Sequence, residues 1–164
     1  MIRVLFCILL ALSGLTAGAA LAQGAQVAFG GLKQDASLPV EVTADSLEVN
    51  QADGSAVFTG NVLIGQGEMR LSADKVRVEY NTSGGIDKMH AMGKVLLVSG
   101  GEAAEANEAV YTIETASIVM TGSVILTQGD NALSGQTLTV DLASGTGRME
   151  GRVSTVFNPS SAKE

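Results

Sequence analysis

The chain has 164 residues, ten basic and 17 acidic, with a formal charge of −7 and aromatics at only 4% of positions. That length suits a single domain. The acidic balance excludes a nucleic-acid binder, whose partner needs a basic surface, and passive adhesion to an anionic membrane. It does not exclude an anionic lipid held by its acyl chains.

Arg3 is the only charge among the first 32 residues. It precedes the apolar run Val4–Leu12 and small residues ending in Ala20-Leu21-Ala22. This is the pattern of a cleaved export signal over residues 1–22. The run is shorter than the roughly 20 apolar residues of a membrane span. Removing Arg3 leaves nine basic residues against 17 acidic, a formal charge of −8. Cys7, the only cysteine, leaves with the signal, so the mature chain has no disulfide and no thiol chemistry. Residues 23–38, rich in Gly, Ala and Gln, are expected to be a flexible arm.

From Pro39 the chain reads as strand. Ala56, Phe58, Gly60, Val62 and Ile64 fall at spacing two. Val76, Val78 and Tyr80 do the same, then Met89 to Leu97, Ile118 to Leu126, and Leu138 to Leu142. A period of two places each set on one face of a pleated strand. Turn residues separate the runs, at Asp53-Gly54, Gly65-Gln66-Gly67, Ser83-Gly84-Gly85, Gly100-Gly101, Gly129-Asp130-Asn131 and Ser144-Gly145. Glu102–Val110 is the least strand-like stretch, because its alanines and glutamates also suit a helix. The segment 39–157 forms the folded domain, and residues 158–164 are expected to be a flexible tail.

The runs are copies of one unit. Gly60, Gly93, Gly122 and Gly151 recur at intervals of 33, 29 and 29 residues. A second marker moves in step: Ala44-Asp45-Ser46-Leu47, Ala73-Asp74-Lys75-Val76, Ala106-Asn107-Glu108-Ala109 and Gly135-Gln136-Thr137-Leu138. Both markers share a four-residue insertion near Asn81–Ile86. A fixed period of about 29 residues means stacked supersecondary units. The expected fold is all-β and antiparallel, with two facing sheets in a sandwich, jelly roll or flattened roll. Four in-strand glycines at equivalent places would bend the sheet at one level. The interior is either a thin core of small aliphatics or an incompletely filled space with room for flexible acyl chains, to which methionines adapt.

Catalytic chemistry has little support. His90 has parity opposite to the apolar set and reads as solvated. Asp45 and Asp74 recur because the unit recurs, as local caps or a solvated edge. Phosphate-loop and nucleophile-elbow patterns are absent. Asn81-Thr82-Ser83 reads as a turn. No cofactor is expected. Missing girdle aromatics argue against a membrane barrel.

The segments Ala44-Asp45-Ser46-Leu47-Glu48-Val49, Ala56-Val57-Phe58-Thr59-Gly60-Asn61-Val62 and Leu71-Ser72-Ala73-Asp74-Lys75-Val76 resemble the OstA-like domain family of periplasmic lipopolysaccharide transport proteins. The resemblance extends over Val40–Val153 and includes the export signal. It implies a V-shaped, jelly-roll-like antiparallel roll with no enzymatic activity, holding the lipid A part in an apolar interior. It also implies head-to-tail assembly into a bridge. The partners would be an inner-membrane-anchored protein with the same domain and the outer-membrane translocon. The third marker departs from the pattern, since Ala106-Asn107-Glu108-Ala109 lacks the aspartate and the large aliphatic.

On this reading the wall facing the lipid comprises Val42, Leu47, Phe58, Val62, Ile64, Val76, Val78, Met89, Val95, Leu97, Ile118, Met120, Val124, Leu126, Leu138 and Val140. Each of them also fits an ordinary core. The docking edges are the strands near Val40–Thr43 and Arg152–Phe157. The competing reading is a structural or adaptor β-repeat protein of the cell envelope, which binds partner edges and carries no lipid.

Overall fold

The computed structural model describes residues 25–28 and 37–156; the export signal, 1–22, and the tail, 158–164, lie outside them. Eleven strands follow in chain order: β1 (Ala25–Ala28), β2 (Glu41–Thr43), β3 (Ser46–Asn50), β4 (Ser55–Gln66), β5 (Met69–Tyr80), β6 (Ile86–Ser99), β7 (Glu102–Thr112), β8 (Ser117–Gln128), β9 (Asn131–Asp141), β10 (Thr146–Glu150) and β11 (Ser154–Val156). All pairings are antiparallel, and they join into one sheet in the order β1-β10-β9-β8-β7-β6-β5-β4-β2. β3 also pairs with β4, and β11 with β9. Within the expected N-terminal arm, residues 25–28 instead form β1 against β10. The alanine-rich stretch from Glu102 is strand β7, because neighbours on both sides fix its backbone.

The expected pair of sheets is a single sheet folded over. Each long strand crosses one bend, and the register slips there between Thr59 and Val62, Met92 and Val95, and Thr121 and Val124. The slip has a local cause. Gly60, Gly93, Gly122 and Gly151 have φ of 81°, 79°, 84° and 81°, and the residues after them, Asn61, Lys94, Ser123 and Arg152, are also left-handed, at 45° to 51°. Two successive left-handed residues opposite a single partner make a β-bulge that turns the strand.

The two sequence markers meet at this bend. A side chain at Gly60 would collide with Asp45 Oδ2; at Gly93 it would lie 2.7 Å from Asp74 Oδ2, at Gly122 2.6 Å from Asn107 Nδ2, and at Gly151 2.6 Å from Gln136 Cβ. Asp45 also accepts from Asn61 Nδ2 at 2.8 Å, and Asp74 stands 3.4 Å from Lys94 Nζ. The recurring acids therefore brace the bend. Asn107 takes the same place in the divergent third unit, so the register holds there. The four-residue insertion is the β5–β6 turn, where Asn81 Oδ1 accepts from the Ser83 and Gly85 amides.

The bend divides the sheet into two leaves. The upper leaf runs β3, the first half of β4, the second half of β5 and so on to β10 and β1. The lower leaf runs from β2 through the other halves to β11. Their inward faces form one continuous apolar core.

Candidate functional site

Cross-strand register sorts the inward side chains into rows running along the roll. Nearest the bend, the upper leaf carries Leu47, Phe58, Val76, Ala91, Ala109, Met120, Leu138 and Met149. Its next row is Val49, Ala56, Val78, Met89, Tyr111, Ile118 and Val140. The lower leaf carries Val62, Ala73, Val95, Ala106 and Val124 beside the bend, then Val42, Ile64, Leu71, Leu97, Ala104, Leu126 and Leu133.

All sixteen wall candidates lie on these rows. They are not equally covered. Thirteen are buried, Val42 and Phe58 are half-buried, and Leu47 is 53% exposed. Coverage thins at one end of the roll, where β3 also leaves Val49 65% exposed. Period-two reading missed Met69, Leu71, Ala73, Ala104, Ala106 and Leu133, all buried. The missed signal lies in the marker itself. Its first and fourth residues, such as Ala73 and Val76, both face inward, because the strand slips parity as it crosses the bend.

The inward rows are packed against each other, and most of their side chains are buried. Between Ile64, Met69 and Leu71 of the lower leaf and Met89, Ala109, Tyr111 and Ile118 of the upper leaf, about 10 Å³ of space remains. Unbranched methionines account for much of this, since they fill irregular gaps. Met149, for example, occupies the place that a side chain at Gly135 would need. The leaves also make a polar contact: Tyr111 Oη donates to Gln66 Oε1 at 3.1 Å. Burial pushes the Tyr111 phenol up, so it stays a neutral donor at neutral pH.

Beyond the last apolar row of the lower leaf, the inward face becomes polar at the rim. Gln66, Ser99, Glu102, Gln128 and Asn131 stand there, next to the hairpin turns. Glu102 is only 7% exposed; its Oε1 accepts from Gln128 Nε2 at 2.6 Å, and its Oε2 has no hydrogen-bond partner among the described residues. Sequence reading passed over this row because it merges with Gly65-Gln66-Gly67, Gly100-Gly101 and Gly129-Asp130-Asn131.

The outer face carries ion pairs and, on the lower leaf, the exposed Leu63, Leu96 and Ile125. His90 points outward, 3.3 Å from Glu108 Oε2, and Arg77 bridges Asp53 and Glu79. A hollow of about 390 Å³ lies on this face beside β2, lined by Leu38, Pro39, Glu41, Thr43, Leu63 and Arg70. It is on the opposite side of the sheet from the apolar rows.

Residues 41–146 match the family model described as LptA/(LptD N-terminal domain) LPS transport protein. The chain is 32% identical to an uncharacterized protein of Rhizobium meliloti, over 92% of this chain and 88% of that one. It is 26% identical to the lipopolysaccharide export system protein LptA of Haemophilus influenzae, over 81% of this chain and 84% of that protein. The crystal structure of LptH from Pseudomonas aeruginosa, the LptA homologous periplasmic component of the lipopolysaccharide transport device, superimposes with a TM-score of 0.70 at 19% identity. It covers 77% of this chain and 99% of that one, which establishes the shared fold. The chain belongs to the family of LptA and the LptD N-terminal domain, non-enzymatic lipopolysaccharide transport proteins of the periplasm.

Proposed function

We propose that this protein, freed of residues 1–22, carries lipopolysaccharide across the periplasm with its acyl chains between the two leaves. Copies join end to end and hand the lipid on. The observation that carries the reading is the continuity of the inward apolar rows to Leu47 and Val49, which stand exposed at the β3 edge. Exposed apolar side chains mark a binding surface, and here they continue the inward rows to the end where the next copy would stand.

The physical argument concerns transfer. Each acyl CH₂ gains about 0.8 kcal/mol on leaving water. A dry aliphatic wall supplies that gain without hydrogen bonds that must break at every step. Because the leaves meet through their inward side chains, loading exchanges side-chain contacts between leaves for contacts with the acyl chains. This keeps net affinity modest, as a carrier requires.

Edge strands supply the joining surface. β2 and β11 are the outer strands of the lower leaf, at opposite ends of the roll, and both lie within the expected docking segments. Strand addition would satisfy backbone groups on both partners, and a head-to-tail contact that does not close gives a filament. The same edges suit the inner-membrane-anchored partner and the outer-membrane translocon. Sedimentation should show mass rising with concentration. A constant monomer mass overturns the joining step and leaves the carrier step standing.

Photocrosslinkers test the carrier step. Probes at Phe58 and Val124 face inward and should label the acyl-bearing part of co-purified lipid. Probes at Glu48 and Arg77 face outward and should stay unlabelled. Labelling from the outward pair alone is the result that removes the carrier reading.

A further inference from the structure

We propose that the polar row at the lower-leaf rim is a subsite for sugar hydroxyl groups, with the free oxygen of Glu102 as its principal acceptor. The proposal rests on the carrier reading above and adds where the head group of the lipid is read.

Three observations support it. The first is position. Gln66, Ser99, Glu102 and Gln128 continue the inward face one step past Ile64, Leu97, Ala104 and Leu126, with Met69 the apolar member of the row, so the wall becomes largely polar at the rim. An amphiphile whose tails lie along the apolar rows has its head–tail junction at that step.

The second is the unused acceptor. Glu102 is more than nine-tenths buried, Gln128 engages Oε1, and Oε2 has no partner among the described residues. A buried carboxylate oxygen without a donor is costly, and that cost is recovered when a donor arrives. Without a donor this oxygen gives the wall no advantage over an apolar residue.

The third is chemistry. The unpartnered carboxylate oxygen of Glu102 accepts from the hydroxyl groups of a polyhydroxylated ring. The row presents no cation to a phosphate, and a carboxylate at this depth repels one. The row therefore selects hydroxylated head groups, and any phosphates on the same lipid must point outward into water.

The test uses protein purified from the periplasm and single-chain amphiphiles below their micelle-forming concentrations, titrated by calorimetry. Dodecyl glucoside offers hydroxyl donors. A methyl-capped dodecyl ethylene-glycol ether has the same tail and no donor. Wild type should bind the glucoside roughly tenfold or more tightly than the ether, the range for a hydrogen bond to a charged group. Glu102→Leu should lose that preference with its affinity for the ether unchanged. Glu102→Gln, which keeps size and an acceptor, should retain part of it and shows whether a misfolded leucine variant is to blame for any loss. An unchanged preference in both variants, or none in wild type, overturns the subsite. Stronger binding of dodecylamine than of the glucoside also overturns it, because the carboxylate then reads charge. Failure of wild type to bind either neutral probe is a different result, and it removes the carrier reading together with the subsite.

Discussion

Replacing Gly122 with alanine lowers stability by about 2–4 kcal/mol, the range for backbone strain combined with crowding. Two effects add. Gly122 has φ of 84°, where an L side chain costs roughly 1–2 kcal/mol. The new Cβ would also stand 2.6 Å from Asn107 Nδ2 and 3.0 Å from Asn107 Cβ, and Asn107 is held at the bend by the pairings of its neighbours, Ala106 and Glu108 with β6 and Glu105 and Glu108 with β8. Gly84 separates the two effects. Its φ is 85°, but nothing lies within 4 Å of a Cβ placed there. Gly84→Ala therefore reports the backbone term alone. Denaturant midpoints should rank wild type above Gly84→Ala, and Gly84→Ala above Gly122→Ala. Adding Asn107→Ala to Gly122→Ala should recover part of the loss, because the amide is removed while the 3.0 Å Cβ contact remains. Equal destabilisation by the two glycine variants would show that the bend is not braced by its marker residues.

This bend marks the boundary of what the residues disclosed on their own. The 29-residue period and the in-strand glycines identified a repeated unit and the level at which it turns, because a glycine within a strand pattern has few other uses. They did not disclose that Gly122 faces Asn107, since pairing between repeats is a long-range property that spacing does not encode. Parity fared similarly. It placed Val76 and Val78 inward, yet it could not carry the face through Asp74 to Ala73 and Leu71, where the strand slips by one residue. The scarcity of aromatics left two interiors open, a thin core of small aliphatics or an incompletely filled space. Around Ala109 the packing is close, with Met69 and Met89 beside it. Glu102 was hidden for a different reason. It opens the stretch Glu102–Val110, whose alanines and glutamates also suit a helix, and only the register with Ser99 and Gln128 shows that it faces inward.

Tying the two leaves together cuts lipid uptake at least about tenfold, and this second large effect follows from the buried inward rows. The inward rows are buried against each other, with about 10 Å³ free around Ala109, so an acyl chain enters there only as the leaves part. Parting breaks the Tyr111–Gln66 hydrogen bond at the mouth and opens apolar contacts on both sides. The apparent affinity is then the intrinsic affinity scaled by the fraction of molecules that are open. A chain with Gln66→Cys and Tyr111→Cys has no other cysteine once residues 1–22 are removed, so a short thiol-reactive cross-linker joins these two positions alone. The cross-linked protein should take up a fluorescent acyl probe at least about tenfold less than the same variant before cross-linking, a change of roughly 1.4 kcal/mol or more in apparent free energy. Tyr111→Phe moves the balance the other way. It deletes one hydrogen bond between the leaves, worth about 1 kcal/mol, and keeps the ring, so uptake should rise up to about fivefold while thermal stability falls slightly. Undiminished uptake by the cross-linked chain would place the lipid outside the leaves, on the exposed β3 edge. The inward rows would then be core alone.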